Sequence, residues 1–458
     1  MKKIVIGILV LAPLAFLVFM IAKYRVDVPE WDQWTLVPFL KESYDGTLSL
    51  GHLWLQHNEH RLFFPQLIMI VLAHVSRWNT AYELATSLIL AIGIFFLLAR
   101  AMKKLFRILP GRPALWPFVV LSVMVFSLNQ VENWLWGWNI QVFLNILCGA
   151  GALSLLTGDK LGWRNMAAAS ALSIVAVYSY APGLIVLPLG FLFILISRSA
   201  RRGRKKLYAL SWVGLSAAVF LSYFYRYVPS GFQSSPSAIL EFPLKYLKFV
   251  VTYLGAALLS SDVNPVLAFW VGLAGLSIFV VVLGAMRVER RVPFQALSLF
   301  LALSLYALVA ALFASAGRFV MGDIQAMTPR YIAFSVLFWI SLFVFVVLYL
   351  RSSPKKEPNH GEPPRERPFI PKVREALLAI SLALVFLLSA MSSFHSRVLF
   401  EERSRFLEPA REALLSSMDE DLLERIYPHL REIDRSEMQK RIDFLRSKKL
   451  SVFRSQRR

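Results

Sequence analysis

The sequence predicts an all-α protein of the membrane: a polytopic bundle of about 11 transmembrane helices, helices lying at the membrane surface, and a small helical C-terminal tail. Three observations carry this expectation. Hydrophobic residues make up 57% of the chain and charged residues 17%, where soluble domains carry roughly 25% charge. Apolar runs approaching the roughly 20 residues needed to cross a bilayer recur along most of the chain. The basic residues behind the net charge of +21 sit in short loops between those runs, where the positive-inside rule accounts for them without nucleic acid as a partner.

Taken in order, residues 4–22 form the first span. Lys2 and Lys3 ahead of it hold the N-terminus in the cytoplasm. No small-x-small cleavage site follows, so the segment reads as an uncleaved span and not a signal peptide. Residues 23–62 form a first extracytoplasmic loop that stores carboxylates: Asp27, Glu30, Asp32, Glu42, Asp45 and Glu59. The apolar run after it is short for a crossing and reads as an interfacial helix over 62–76. The next span, 81–99, lands on Arg100, Lys103, Lys104, Arg107 and Arg112 with no acid among them, a cytoplasmic marker.

Further spans are expected at 113–128, 140–156 and 166–178, then a return by residue 196 after the turn Ala181-Pro182-Gly183. The loop at 198–206 is strongly basic and again cytoplasmic. Spans follow at 207–223, 263–285, 294–314, 331–350 and 376–391, with a second polar loop at 225–248 and a second interfacial helix at 249–259. The proline- and charge-rich stretch 351–372 reads as a flexible cytoplasmic linker. The division is a transmembrane domain over 1–393 and an extracytoplasmic helical region over 394–458. Leu422, Leu423, Ile426 and Leu430 lie at helical spacing in that region, which reads as a solvated or membrane-packed appendage. The single cysteine, Cys148, excludes an intrachain disulfide.

The motifs of soluble enzymes are absent: no P-loop, no glycine-rich dinucleotide turn, no nucleophile elbow. His57-Asn58-Glu59-His60 lacks the His-Glu-x-x-His spacing that sets two imidazoles on one helical face, so no cofactor is expected and a divalent metal is disfavoured. Three polar clusters remain. Trp31-Asp32-Gln33-Trp34 is either an interfacial aromatic belt around a solvated acid or a carboxylate between aromatic platforms suited to a sugar ring. His57-Asn58-Glu59-His60-Arg61 is a run of hydrogen-bonding side chains directly before an interfacial helix, and favours function over a plain loop end. Arg318 and Arg330, with Tyr331 beside the latter, lie on the side where positive residues are depleted. Either they bind phosphate bidentately or they pair with Asp323 in their own loop. Glu132, among the aromatics up to Trp138, reads as belt more than site.

The order of these elements resembles the GT-C superfamily of membrane glycosyltransferases, which includes protein O-mannosyltransferases and the aminoarabinose transferase of lipid A. The resemblance lies in a span, a loop with an acid just after it, a polar motif, an aromatic and proline-bearing amphipathic helix, and a second span ending on basic residues. It covers about the first hundred residues and is topological beyond them. Trp31 to Trp34 with His57 to Arg61 is also similar to a group of bacterial membrane proteins, which implies a bacterial inner membrane. The resemblance implies a polyprenyl-phosphate-linked sugar as donor and an extracytoplasmic glycan, lipid or protein as acceptor. It makes Asp32 the catalytic acid of the first loop. Asn58-Glu59-His60-Arg61 stands where the family carries a proline pair, which leaves the acceptor class open.

That chemistry suits the residues. An acceptor hydroxyl loses its proton as the new bond forms, so it needs a carboxylate, Asp32 or Glu59, as base. His57 and His60 are candidates for sugar hydroxyls, and Arg61, Arg318 and Arg330 for the departing phosphate. The alternatives are a transporter or flippase for a lipid-linked or anionic substrate, and a non-catalytic scaffold. The transporter reading calls for charges near the bilayer midplane, whereas these spans read as nearly free of them.

Overall fold

A computed structural model describes residues 2–108, 115–197, 202–229, 236–289, 292–352, 369–416, 420–427 and 435–455 of the chain. Among them, nine helices are long and apolar enough to cross a membrane: Lys3–Tyr24, Thr80–Phe106, Trp116–Leu135, Gly137–Leu156, Gly203–Phe224, Pro265–Val288, Phe294–Met321, Pro329–Arg351 and Ala376–Ser416. The remaining two expected spans are shorter helices, Trp163–Val177 and Val186–Ile196, joined through the tight turn Ala181–Ile185. The segment expected to lie at the interface is helical over Phe63–Ser76. Most of the expected linker 351–372 lies outside the described residues, and its last four positions belong to the helix Phe369–His395.

Ile332–Arg351 is the axis of the bundle. It is apolar around its whole circumference and buried over nearly its whole length, as a helix without a polar face must be in a protein core. The helix Pro243–Gly255 covers the segment first read as a second interfacial helix, and it packs tightly onto Pro265–Val288. Two glycines permit that approach. A Cβ at Gly255 would stand 1.8 Å from the Ala268 carbonyl oxygen, and one at Gly272 would stand 2.0 Å from that of Val251. Small residues at a helix crossing let backbones come this close.

The two ends of the helix Thr80–Phe106 make different polar contacts. Lys104 at the end of Thr80–Phe106 meets Asp159 from the next short loop at 2.5 Å. At the other end of the same helix, the Thr80 backbone N–H and hydroxyl both donate to Asp27 Oδ1, at 3.0 and 2.9 Å. In the first turn of this helix lies a buried acid, Glu83, one of the few ionisable groups in spans that read as nearly free of charge.

The tail differs from expectation. It is no appendage. Leu407, Ala410, Leu414, Leu423, Ile426, Met438, Ile442 and Phe453 share one hydrophobic core with Val26, Trp34, Leu36, Leu40, Met69 and Trp78 of the first loop and its helix. Burial of each large aliphatic or aromatic side chain contributes about 1.5–3 kcal/mol, so this shared core binds the two segments as one body. Of the four residues read at helical spacing, Leu423 and Ile426 are buried in this core, and Leu430 lies outside the described residues.

Candidate functional site

The first loop is built around a short turn and a short hairpin. Trp31–Thr35 forms one 3-10 turn, directly followed by the helix Leu36–Asp45. Gln56–His57 and His60–Arg61 pair antiparallel, the only strands among the described residues. Asn58 opens the two-residue turn with φ +49°, a left-handed conformation that asparagine tolerates better than most side chains. The hairpin thus aims His57, Glu59 and His60 at the bundle.

Arg61 closes the hairpin from behind. Its Nε donates to the Tyr223 carbonyl at 2.6 Å, Nη1 to that of Trp54 at 2.6 Å and Nη2 to that of Tyr225 at 2.5 Å. Two of these acceptors end the helix Arg202–Phe224, where unsatisfied carbonyls collect partial negative charge. Arg61 is therefore a buried structural cation, which corrects its expectation as a phosphate ligand. Trp34 is corrected too: it is fully buried and its Nε1 donates to the Pro29 carbonyl at 2.9 Å.

The other candidates, except Glu132, meet. Trp31, Asp32, His57, Asn58, Glu59, His60, Arg318, Arg330 and Tyr331 all line one cavity of about 580 Å³. Trp136, Trp138, Gln141, Tyr180, Tyr223 and Tyr253 complete its aromatic and polar wall. Glu132 does not line it, though its charge acts on Arg330. The tyrosines escaped the sequence reading because each is one aromatic ring among many at a span end. Trp136 and Trp138 were read there as belt.

Charges of both signs face one another across this space. Arg318 Nη2 donates to Glu59 Oε1 at 2.7 Å. The alternative pairing with Asp323 is not the one found, because Asp323 is taken by Lys248. His57 Nε2 lies 3.6 Å from Asp32 Oδ2, an ionic separation longer than a hydrogen bond. The His60 ring lies tilted against Tyr180 with ring centres 4.3 Å apart, and its Nδ1 accepts from the Ala181 N–H at 3.4 Å. The Arg330 guanidinium lies 5.6 Å from the Tyr331 ring centre.

Burial and these neighbours set the charges. Burial alone would raise Asp32, but His57, Arg330 and His60 outweigh it and hold the carboxyl below its ordinary value. Glu59 is likewise lowered, because His60 and Arg318 overcome its desolvation. His60 is pushed down to about 4, chiefly by burial and against the pull of Glu59, so it is neutral at pH 7. The site thus holds two carboxylates, two imidazoles, of which His60 is neutral, and two guanidinium groups.

Three buried polar atoms of the cavity residues have no hydrogen-bond partner among the described residues: His57 Nε2, Glu59 Oε2 and Gln141 Oε1. Buried polar groups are normally satisfied, so these three atoms are open to a polar ligand or to water in the cavity. No three His, Cys, Asp or Glu side chains among the described residues are grouped to hold a metal ion. Compared with protein-family models, with curated proteins and with solved structures, the chain matches none.

Proposed function

We propose that the protein is a membrane glycosyltransferase that moves a sugar from a polyprenyl-phosphate carrier to an extracytoplasmic glycan, lipid or protein. The proposed setting is a bacterial inner membrane, with the N-terminus cytoplasmic and the C-terminus extracytoplasmic. The observation that supports this most is the convergence, on one cavity, of Asp32, Glu59, His57, His60 and Arg330 from segments distant in sequence.

In this reading the acceptor oxygen attacks the anomeric carbon as the bond to phosphate oxygen breaks. The hydroxyl proton goes to Asp32, and the electron pair leaves with the lipid phosphate. Asp32 is preferred to Glu59 as base because Glu59 is engaged by Arg318 at 2.7 Å. Arg330 suits the leaving phosphate, since its guanidinium lines the cavity beside Tyr331. Trp31 and Trp136, edge to face with ring centres 5.9 Å apart, offer the sugar an aromatic wall.

The experiment is transfer by purified protein in lipid vesicles, supplied with a panel of polyprenyl-phosphate sugars and extracted envelope acceptors. Transfer that disappears with Asp32→Asn supports the reading. Wild-type protein that releases no polyprenyl phosphate from any donor defeats it and moves the weight to a transporter or scaffold.

A further inference from the structure

We propose that the C-terminal region supports the site, and that its Arg403 is a positioning residue acting on Asp32 through Glu30. This rests on Asp32 being the base proposed above. The starting observation is an ion pair made across 373 positions of sequence: Arg403 Nη2 donates to Glu30 Oε2 at 2.6 Å. Glu30 is 3% exposed and lies two positions before the acid.

Glu30 anchors the turn that carries Asp32. Its N–H donates to Gln33 Oε1 at 3.0 Å, the Gln33 N–H donates back to its carbonyl at 3.0 Å, and Trp136 Nε1 donates to the same carbonyl at 3.1 Å. Between Glu30 and Asp32 stands Trp31 with φ +51°. A bulky side chain keeps a left-handed backbone only where its surroundings over-determine it. The strain therefore sits next to the acid, and the turn needs holding.

It is held from two sides. Beneath it, Gln33 Nε2 donates to Glu83 Oε2 at 2.5 Å, and Trp78 Nε1 donates to Glu83 Oε1 at 2.8 Å. Gly137 makes room for that acid, since a Cβ there would stand 2.0 Å from Glu83 Oε2. Above it lies the C-terminal region, where Arg403 takes Glu30 and Arg441 Nη1 donates to the Trp34 carbonyl at 3.1 Å. Without Arg403 the Glu30 carboxylate is buried and uncompensated. It must then either take up a proton or move toward water, and movement displaces Asp32.

The test uses the full-length protein in detergent, with amide hydrogen exchange and sugar transfer as independent readouts. Arg403→Gln is expected to raise exchange at residues 30–36 by about tenfold or more while leaving 63–76 and 80–106 unchanged. Transfer should fall by about 10²-fold, the scale of a misplaced catalytic group. Arg403→Lys, which keeps the charge, should recover most of both. The double change Glu30→Gln with Arg403→Gln should lose no more than either single change, as expected of groups that act through one contact. Arg405→Ala, which breaks an exposed pair with Glu401 on the same helix, should alter neither readout. Unchanged exchange at 30–36, exchange rising equally in all three segments, or additive losses in the double variant would overturn the proposal. A wild-type protein without transfer defeats the enzyme reading, whereas the exchange pattern still decides whether Arg403 holds the turn.

Discussion

Opposite ends of the bundle join the same kinds of side chain under different conditions. Lys104 and Asp159 touch at 2.5 Å with side chains 62% and 72% exposed. Arg318 and Glu59 touch at 2.7 Å with side chains 18% and 21% exposed. Separation hardly distinguishes the pairs, so burial decides what each can do. Water competes for an exposed pair and salt screens it. Around the cavity fewer waters compete, each charge fixes its neighbour's protonation, and an incoming polar group meets charges already aligned.

The contrast breaks first if the two ends do not face different compartments. Single cysteines at Ser43 and Gly203, in a Cys148→Ser background, place one label near each end. Gly203 has open space around the position of a Cβ, so that substitution fits. A membrane-impermeant thiol reagent on intact cells is expected to label Ser43→Cys fully and Gly203→Cys not at all. The reverse pattern would invert the proposed orientation.

Next in size is the acid. Asp32→Asn keeps the shape but cannot accept a proton, and loss of a general base typically lowers rate by about 10²–10⁴-fold. Donor binding should persist. Transfer at the wild-type rate would remove Asp32 from the chemistry and leave Glu59 to be tested in its place.

The pH dependence of stability sharpens the comparison further. His60 titrates at about 4 in the fold and near 6.5 when unfolded. The unfolded chain binds the proton first as pH falls. The stability gained from a neutral buried His60 is therefore whole above about pH 6.5 and lost progressively toward pH 4, by about 1–3 kcal/mol. Thermal midpoints in detergent should drop across that window, and His60→Gln should flatten the drop. A wild-type midpoint constant from pH 7 to pH 4.5 would contradict the burial of this imidazole. Smaller still is Arg330→Lys, which keeps the charge but loses the planar fork. Donor affinity should weaken by roughly tenfold, and unchanged affinity would make Arg330 structural.

Much of this architecture was legible in the chain, for identifiable reasons. Span-length apolar runs need no tertiary information, so the long apolar helices could be read directly. Asp32, His57, Glu59, His60 and Arg330 stood out because polar residues in the loops of an apolar chain have few structural duties. Arg61 looked like its neighbours in that run, and only the fold reveals that the Tyr223 and Tyr225 carbonyls claim it. The hairpin at 56–61 is too short to show strand alternation. Arg403 was hidden for another reason: its partner lies 373 residues away, and on a mixed-charge helix its neighbours Arg405 and Arg411 pair locally with Glu401 and Glu408.

The smallest effect belongs to the exposed end, where a near-zero result carries information. Lys104→Ala removes one partner of a pair in open solvent, and such pairs contribute about 0–1 kcal/mol. Arg318→Ala, by contrast, leaves the Glu59 carboxylate largely buried without its donor, at a cost of about 1–3 kcal/mol. Melting both variants beside wild type, at low and at high salt, sets burial against distance directly. The Lys104→Ala shift should stay within about 0.5 kcal/mol and shrink as salt rises, while the Arg318→Ala loss should persist. Equal losses would mean that contact distance, not exclusion of water, governs the charged pairs of this protein. The cavity would then hold no electrostatic advantage over the opposite end of the bundle.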